Sequence, residues 1–166
     1  MQSSNLQLEE FFLTTLNLDW QTGECECDGE CPYSVDLDYN LARNEENERL
    51  FRLQLRVVLQ VADNCTGLKA DAVIDGFFSF PEKAEEDTMQ YLVRINGATI
   101  LYGILRGQIA MVSGSFPTGK VNLPPVVMQD VLPEIDQARE KAETKPTKTR
   151  PRSTKSKSEK NRINRD

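Results

Sequence analysis

Cys25, Cys27 and Cys31 lie within one polar stretch, QTGECECDGECP at residues 21–32. A C-x-C-x3-C run of thiolates can bind zinc if a fourth donor completes the tetrahedron, and Cys65 is the only thiol left to do so. Paired C-x-x-C knuckles are missing, so a reduced, exposed cysteine loop is the favoured reading and a four-thiolate site the alternative. Glu24, Glu26, Asp28 and Glu30 alternate with these cysteines but lack the ordered spacing of a calcium loop. GSFPTGK at residues 114–120 matches the G-x-x-x-x-G-K phosphate loop. Val121 stands where the Mg²⁺-binding hydroxyl belongs, however, and the segment follows a helical pattern instead of opening one.

The chain has no histidine, which removes Ser/His/Asp and Cys/His nucleophilic systems, histidine general bases and every histidine-containing metal site. Carboxylates and thiols remain, without the spacing that organises a catalytic centre. Neither an enzyme nor a cofactor is expected.

The net charge of −6 conceals two opposed parts. Residues 1–137 carry 9 basic and 22 acidic groups, a balance of −13, whereas residues 138–166 carry 11 basic and 4 acidic, a balance of +7. That change of sign, with Pro146, Pro151 and many Ser and Thr behind it, predicts one folded domain over 1–137 and a disordered basic tail over 138–166. Basic residues such as Arg150, Lys157 and Arg162 suit RNA, ribosome or anionic lipid, but no aromatic is interleaved to stack on bases. A solubilising tail, or one folding back on its own acidic domain, is favoured over a nucleic-acid partner. No run is long enough to span a membrane and no secretory signal is recognisable, so the cytoplasm is the expected compartment.

The elements follow from periodicity. Phe51, Leu53, Leu55, Val57, Leu59 and Val61 alternate with Arg52, Gln54, Arg56 and Gln60, which is a strand with one buried face. A similar alternation starts at Ser34 through Val35, Leu37, Tyr39 and Leu41, and another lines Leu68, Ala70, Ala72, Ile74, Phe78 and Phe80 on one side. From Leu6 to Trp20 the period of two is imperfect, because Phe11 and Leu13 fall on the nominal water side, as a subunit contact would. The polar stretch 21–32 is too long for a hairpin and predicts a crossover. A helical pattern begins near Thr88, with a break possible at Asn96 and Gly97, and a last one runs through Val127, Val131, Ile135 and Ala138, with Pro133 limiting its front. Four strands followed by two helices define an α+β domain, with the helices on one face of a four-stranded antiparallel, Greek-key-like sheet of order 1-4-3-2.

Residues 98–126, ATILYGILRGQIAMVSGSFPTGKVNLPPV, combine an apolar helix carrying Gly103, Gly107 and Ala110 with an SFP exit and a proline-stiffened NLPPV segment. Glycines on an apolar helix cost propensity and permit close approach of a neighbour. In this order, and with the strands before them, these pieces resemble the bacterial protein-export chaperone SecB over roughly residues 6–132. The resemblance implies a homotetramer, a dimer of dimers, that holds unfolded polypeptide clients in apolar grooves without ATP. It implies client-binding roles for Trp20, Tyr33, Phe78, Phe80, Tyr102, Leu123 and Val126, and an oligomer interface containing Phe11, Leu13, Gly103, Gly107 and Ala110. Docking to the export motor SecA would use Asp19 and Asp71, but Thr15 replaces a third carboxylate and Lys69 an expected apolar contact. A chaperone dedicated to a toxin-antitoxin pair and a nucleic-acid or ribosome adaptor using the tail are the alternatives.

Overall fold

The computed structural model describes residues 5–24, 33–115 and 120–143. Strands β1 (Gln7–Gln21), β2 (Tyr33–Arg43), β3 (Leu50–Val61) and β4 (Gly67–Ser79) form one antiparallel sheet of order β1-β4-β3-β2. Helix α1 (Glu86–Leu92) runs through a π-helical turn, Val93–Gly97, into α2 (Ala98–Ser113), and α3 (Met128–Glu143) ends the described chain. The α+β class and the strand order are those read from the sequence.

The alternation of β3 has the consequence expected of it. Phe51, Leu53, Leu55, Val57, Leu59 and Val61 are buried on the helix side. They meet Ala70, Ala72, Ile74 and Phe78 of β4 and Leu101, Leu105 and Ile109 of α2 in one core. Two glycines let the layers approach. A Cβ at Gly76 would stand 2.7 Å from a Leu101 methyl, and one at Gly97 would press on Leu53 and Phe78 at 3.2 Å. Asn96 and Gly97 therefore do not break the helix; the chain passes them as a π-turn.

β1 departs from the simple alternation for a definite reason. Its register against β4 shifts between Leu8 and Glu10 and again between Leu13 and Thr15. Each β-bulge inserts one residue and inverts the side-chain phase. Leu8 faces Phe78, then Phe11 and Leu13 face Gly76 and Ile74, then Leu16, Leu18 and Trp20 face Ala72, Ala70 and Leu68. Phe11 and Leu13 thus belong to the helix-side face and not to the water side that an unbroken period assigns them. Phe12 alone turns outward, edge-on to Phe77 with ring centroids 6.0 Å apart.

The domain boundary also moves. Residue 137 falls inside α3, Pro133 is accommodated within the helix, and the helix continues to Glu143. Its second half is latched to the β2 edge by polar groups. The Tyr39 hydroxyl donates to Asp136 Oδ1 at 2.6 Å, and Arg94 pairs with the same carboxylate. Arg139 donates to the Tyr39 carbonyl and to Asp38, and the guanidinium carbons of Arg94 and Arg139 lie 5.7 and 5.0 Å from the Tyr39 ring centroid. Change of charge sign alone does not reveal this, because a basic residue here serves the fold.

Burial, and then the hydrogen bond to Asp136, push the Tyr39 hydroxyl up to about 12. The protonated form is favoured in the folded state, so this contribution is complete below the ordinary tyrosine range near 10 and is lost as pH rises through about 12. In an ultraviolet phenolate titration, the parent protein should show late-titrating tyrosines, because burial raises Tyr102 as well, and Tyr39→Phe should remove one of them. Asp136→Ala leaves the hydroxyl and Arg94 without their acceptor and should cost about 1–3 kcal/mol in urea unfolding. A late-titrating amplitude left unchanged by Tyr39→Phe would contradict the latch.

Candidate functional site

The sheet offers two different faces. On the helix side, α2 lies over β3 and β4, and the β1 margin keeps apolar groups in solvent: Phe11 is 44% exposed and Leu13 38%. Leu16, Leu18 and Trp20 continue the row half-buried. The outward side of α2 is apolar too, with Ile100 exposed 39% and Met111 66%. Between them a Cβ at Gly103 or Gly107 would meet nothing within 4 Å. Intrachain packing therefore does not demand either glycine, unlike Gly76 and Gly97. Ala110 differs from them, being buried in its own chain.

At the crossover end, Gly23 and Thr66 hold the start of the loop against the β3–β4 turn. The Gly23 amide donates to Thr66 Oγ1 at 2.9 Å, and that hydroxyl donates back to the Gly23 carbonyl at 2.8 Å. Gln21 Nε2 donates to the Cys65 carbonyl at 3.0 Å. The turn itself places Asn64 at a φ of 63°, a conformation asparagine tolerates. The loop after β1 and the turn after β3 thus share one end of the sheet, as the strand order requires. Cys65 is buried there, while Cys25, Cys27 and Cys31 lie outside the described residues, as do residues 116–119 of the GSFPTGK segment and the tail beyond residue 143. Among the described residues no cluster of metal-ligating side chains occurs.

Trp20 and Tyr33 both face the helix side at this end, Trp20 opposite Leu68 and Tyr33 opposite Val61. Tyr33 is exposed and its hydroxyl accepts weakly from the Leu68 amide at 3.4 Å. Four other expected client residues are elsewhere. Phe78, Phe80, Tyr102 and Leu123 are each at most 5% exposed and belong to the core of this chain. Phe80 stacks edge-on against Phe51 at 5.7 Å. Tyr102 donates to the Pro124 carbonyl at 2.6 Å, and Ser113 Oγ accepts from the Val121 amide at 2.9 Å. The NLPPV segment is thereby strapped along α2, with Leu123 inserted and only Val126 half-buried at its end. Phe78 and Tyr102 lie on the buried phases of β4 and α2, and Phe80 follows just after β4, where apolar character signals core and groove alike.

The opposite face is a ladder of charge pairs. Arg56 makes a two-pronged contact with Asp71, Nε to Oδ1 at 2.9 Å and Nη2 to Oδ2 at 2.8 Å. That hydrogen bonding holds the Asp71 carboxyl below the usual carboxylate range. Asp75 is buried 2% exposed between Arg52 Nε at 2.9 Å and Gln54 Nε2 at 3.2 Å. Asp19 faces Lys69 across the β1–β4 pair. Both expected docking carboxylates therefore sit beside cations of their own chain. Among the described residues no helix is long and apolar enough to cross a membrane.

This fold is shared with a solved SecB-like chaperone. The chain superposes with a TM-score of 0.59 on the SecB-like chaperone Rv1957 of Mycobacterium tuberculosis, solved in complex with a ChAD peptide from the HigA1 antitoxin, at 13% identity over 74% of this chain and 91% of that one. A Streptococcus agalactiae protein of unknown function aligns with a TM-score of 0.44 at 15% identity, over 72% of this chain and 97% of that one. No protein-family model and no curated protein matches the sequence.

Core and surface aromatics should separate on substitution. Phe78→Ala should lower unfolding free energy by about 3–5 kcal/mol, whereas Trp20→Ser with Tyr33→Ser should leave the unfolding midpoint far less changed. Equal losses in the two proteins, read by denaturant titration, would place Trp20 and Tyr33 in the core as well.

Proposed function

We propose that this protein is an ATP-independent holdase that keeps extended polypeptide segments soluble by burying their apolar side chains. The observation that carries the reading is the open apolar margin on the helix side, whose crossover end keeps Trp20 half-buried and Tyr33 41% exposed in the single chain. Burial of such surface is worth roughly 25 cal/mol per Å² and depends little on sequence, which suits varied clients. We assign the glycine-bearing face of α2, with Phe11 and Leu13, to assembly of a homotetramer built as a dimer of dimers. Trp20 and Tyr33 at the crossover end then receive clients. Several such sites on one assembly let a long chain bind tightly through weak contacts that each release easily. The compartment is the bacterial cytoplasm, and no enzyme activity or cofactor is involved.

The outer face favours a dedicated client over delivery to the export motor. Asp71 is occupied by Arg56 and Asp19 stands opposite Lys69 on the neighbouring strand, so one of the two docking carboxylates is already paired within the chain. The antitoxin peptide bound by the structurally similar mycobacterial chaperone supports a client of that kind.

Light scattering of the parent protein should give the mass of a tetramer, and Gly107→Leu, which fills the open space on α2, should lower it. A monomeric parent removes the assembly argument. At stoichiometric tetramer and without ATP, the protein should delay refolding or aggregation of a denatured substrate. Trp20→Ser with Tyr33→Ser should weaken capture by about one to two orders of magnitude per site, partly masked by avidity. A parent protein that delays neither process defeats the holdase reading; an equally active double variant moves the client site elsewhere.

A further inference from the structure

On the sheet face opposite the helices, away from the client and assembly surfaces, an apolar groove of about 610 Å³ opens at the end where β2 turns into β3. Ala42, Leu50 and Phe77 form its floor and Glu9, Glu10 and Arg52 stand at its sides, while the Arg43 side chain turns to the helix side over the Phe51 ring. The two arginines are already committed, Arg43 to Glu48 at 3.1 Å and Glu86 at 2.9 Å, and Arg52 to Asp75 at 2.9 Å. Glu45 and Glu46 follow in the adjoining turn, so the rim is left with an excess of negative charge. A matching ligand is a basic segment with one apolar side chain.

The chain carries such a segment. Between residue 144 and the C-terminus lie nine basic and two acidic residues, and Ile163 is the only non-proline apolar residue among them, within Lys160-Asn161-Arg162-Ile163-Asn164-Arg165. α3 delivers the chain to the right margin of the sheet, because Arg139 is bonded to Asp38 and the Tyr39 carbonyl on β2, the strand that also supplies Ala42 and Arg43 to the groove. The residues between Glu143 and Ile163 can span roughly 60 Å, several times the distance along β2 from Tyr39 to Arg43.

We propose that the C-terminal segment around Ile163 docks into this groove of its own chain, Ile163 on the apolar floor and Arg162 and Arg165 against the carboxylates of the rim. The docking stands independently of the holdase reading, since it uses the other face of the sheet. It gives the protein a built-in occupant for an apolar surface that would otherwise be open to other chains, one that salt would release.

The test is carbodiimide coupling of the full-length protein at low ionic strength, followed by a denaturing gel and peptide mass mapping. Lys160 should couple to Glu9 or Glu10 in a product of monomer mass, and Ile163→Asp should reduce that product roughly tenfold by removing the apolar anchor. Leu50→Ser, with folding checked by circular dichroism, should reduce it as well. Tail lysines coupling evenly to carboxylates all over the domain, unchanged by Ile163→Asp, would overturn the proposal in favour of unspecific attraction. Coupling found only at dimer mass would overturn it in favour of a second copy, and absence of any tail-to-domain product would overturn it outright.

Discussion

One helix cannot cover a four-stranded sheet. An α-helix with its side chains is about 10 Å across, and neighbouring strands are about 4.8 Å apart, so α2 shields roughly two strands. It covers β3 and β4, the central pair, and their inward residues are the most completely buried of the chain. The outer strands are treated unequally. β2 has α3 latched along its edge through Tyr39, Asp136 and Arg139, whereas β1 keeps Phe11 and Leu13 in solvent. The open margin thus follows from the dimensions of the elements, and its apolar composition is what gives it a use.

The parts of this arrangement that obey a single period were legible in the sequence. Six inward residues on β3 alternate without interruption, and the long polar crossover after β1 dictates that β1 joins β4. β1 was harder because two bulges invert its phase twice within fifteen residues, and an inserted residue leaves no mark of its own in a hydrophobic pattern. The same ambiguity attends four of the expected client residues. Phe78, Phe80, Tyr102 and Leu123 look alike as groove lining and as core until the cover above them is known, and here α2 and the strapped NLPPV segment supply it. Glycines were ambiguous in the same sense: Gly76 and Gly97 answer to the packing of this chain, Gly103 and Gly107 do not.

Charge was legible as a total and misleading in detail. The acidic balance of the domain remains a property of its surface, but several carboxylates that look available in the sequence are engaged in the fold. Asp71, Asp75, Asp38 and Asp136 each pair with an arginine. Exposed pairs of this kind contribute little to stability and act more on specificity, since a partner seeking those acids must first displace an arginine that is already in place. The buried Asp75 is different, because removing Arg52 would leave a carboxylate without a compensating charge inside the sheet face.

The bulges in β1 link these two themes. A fifteen-residue edge strand with a row of apolar side chains is a template for unspecific pairing, and natural sheets blunt such edges by twisting or interrupting them. Two bulges interrupt this one, and they also decide where its aromatics go. Phe11 and Leu13 are held on the helix-side margin beside the glycine-bearing face of α2, while Phe12 is sent to the other face to close against Phe77 above Asp75. Without the first bulge, Phe11 would take the outward position and Phe12 the inward one; without the second, Leu16, Leu18 and Trp20 would leave the helix side altogether. One inserted residue at each place therefore assembles the continuous apolar margin, from Leu8 to Trp20, that an uninterrupted strand of this sequence would divide between two faces.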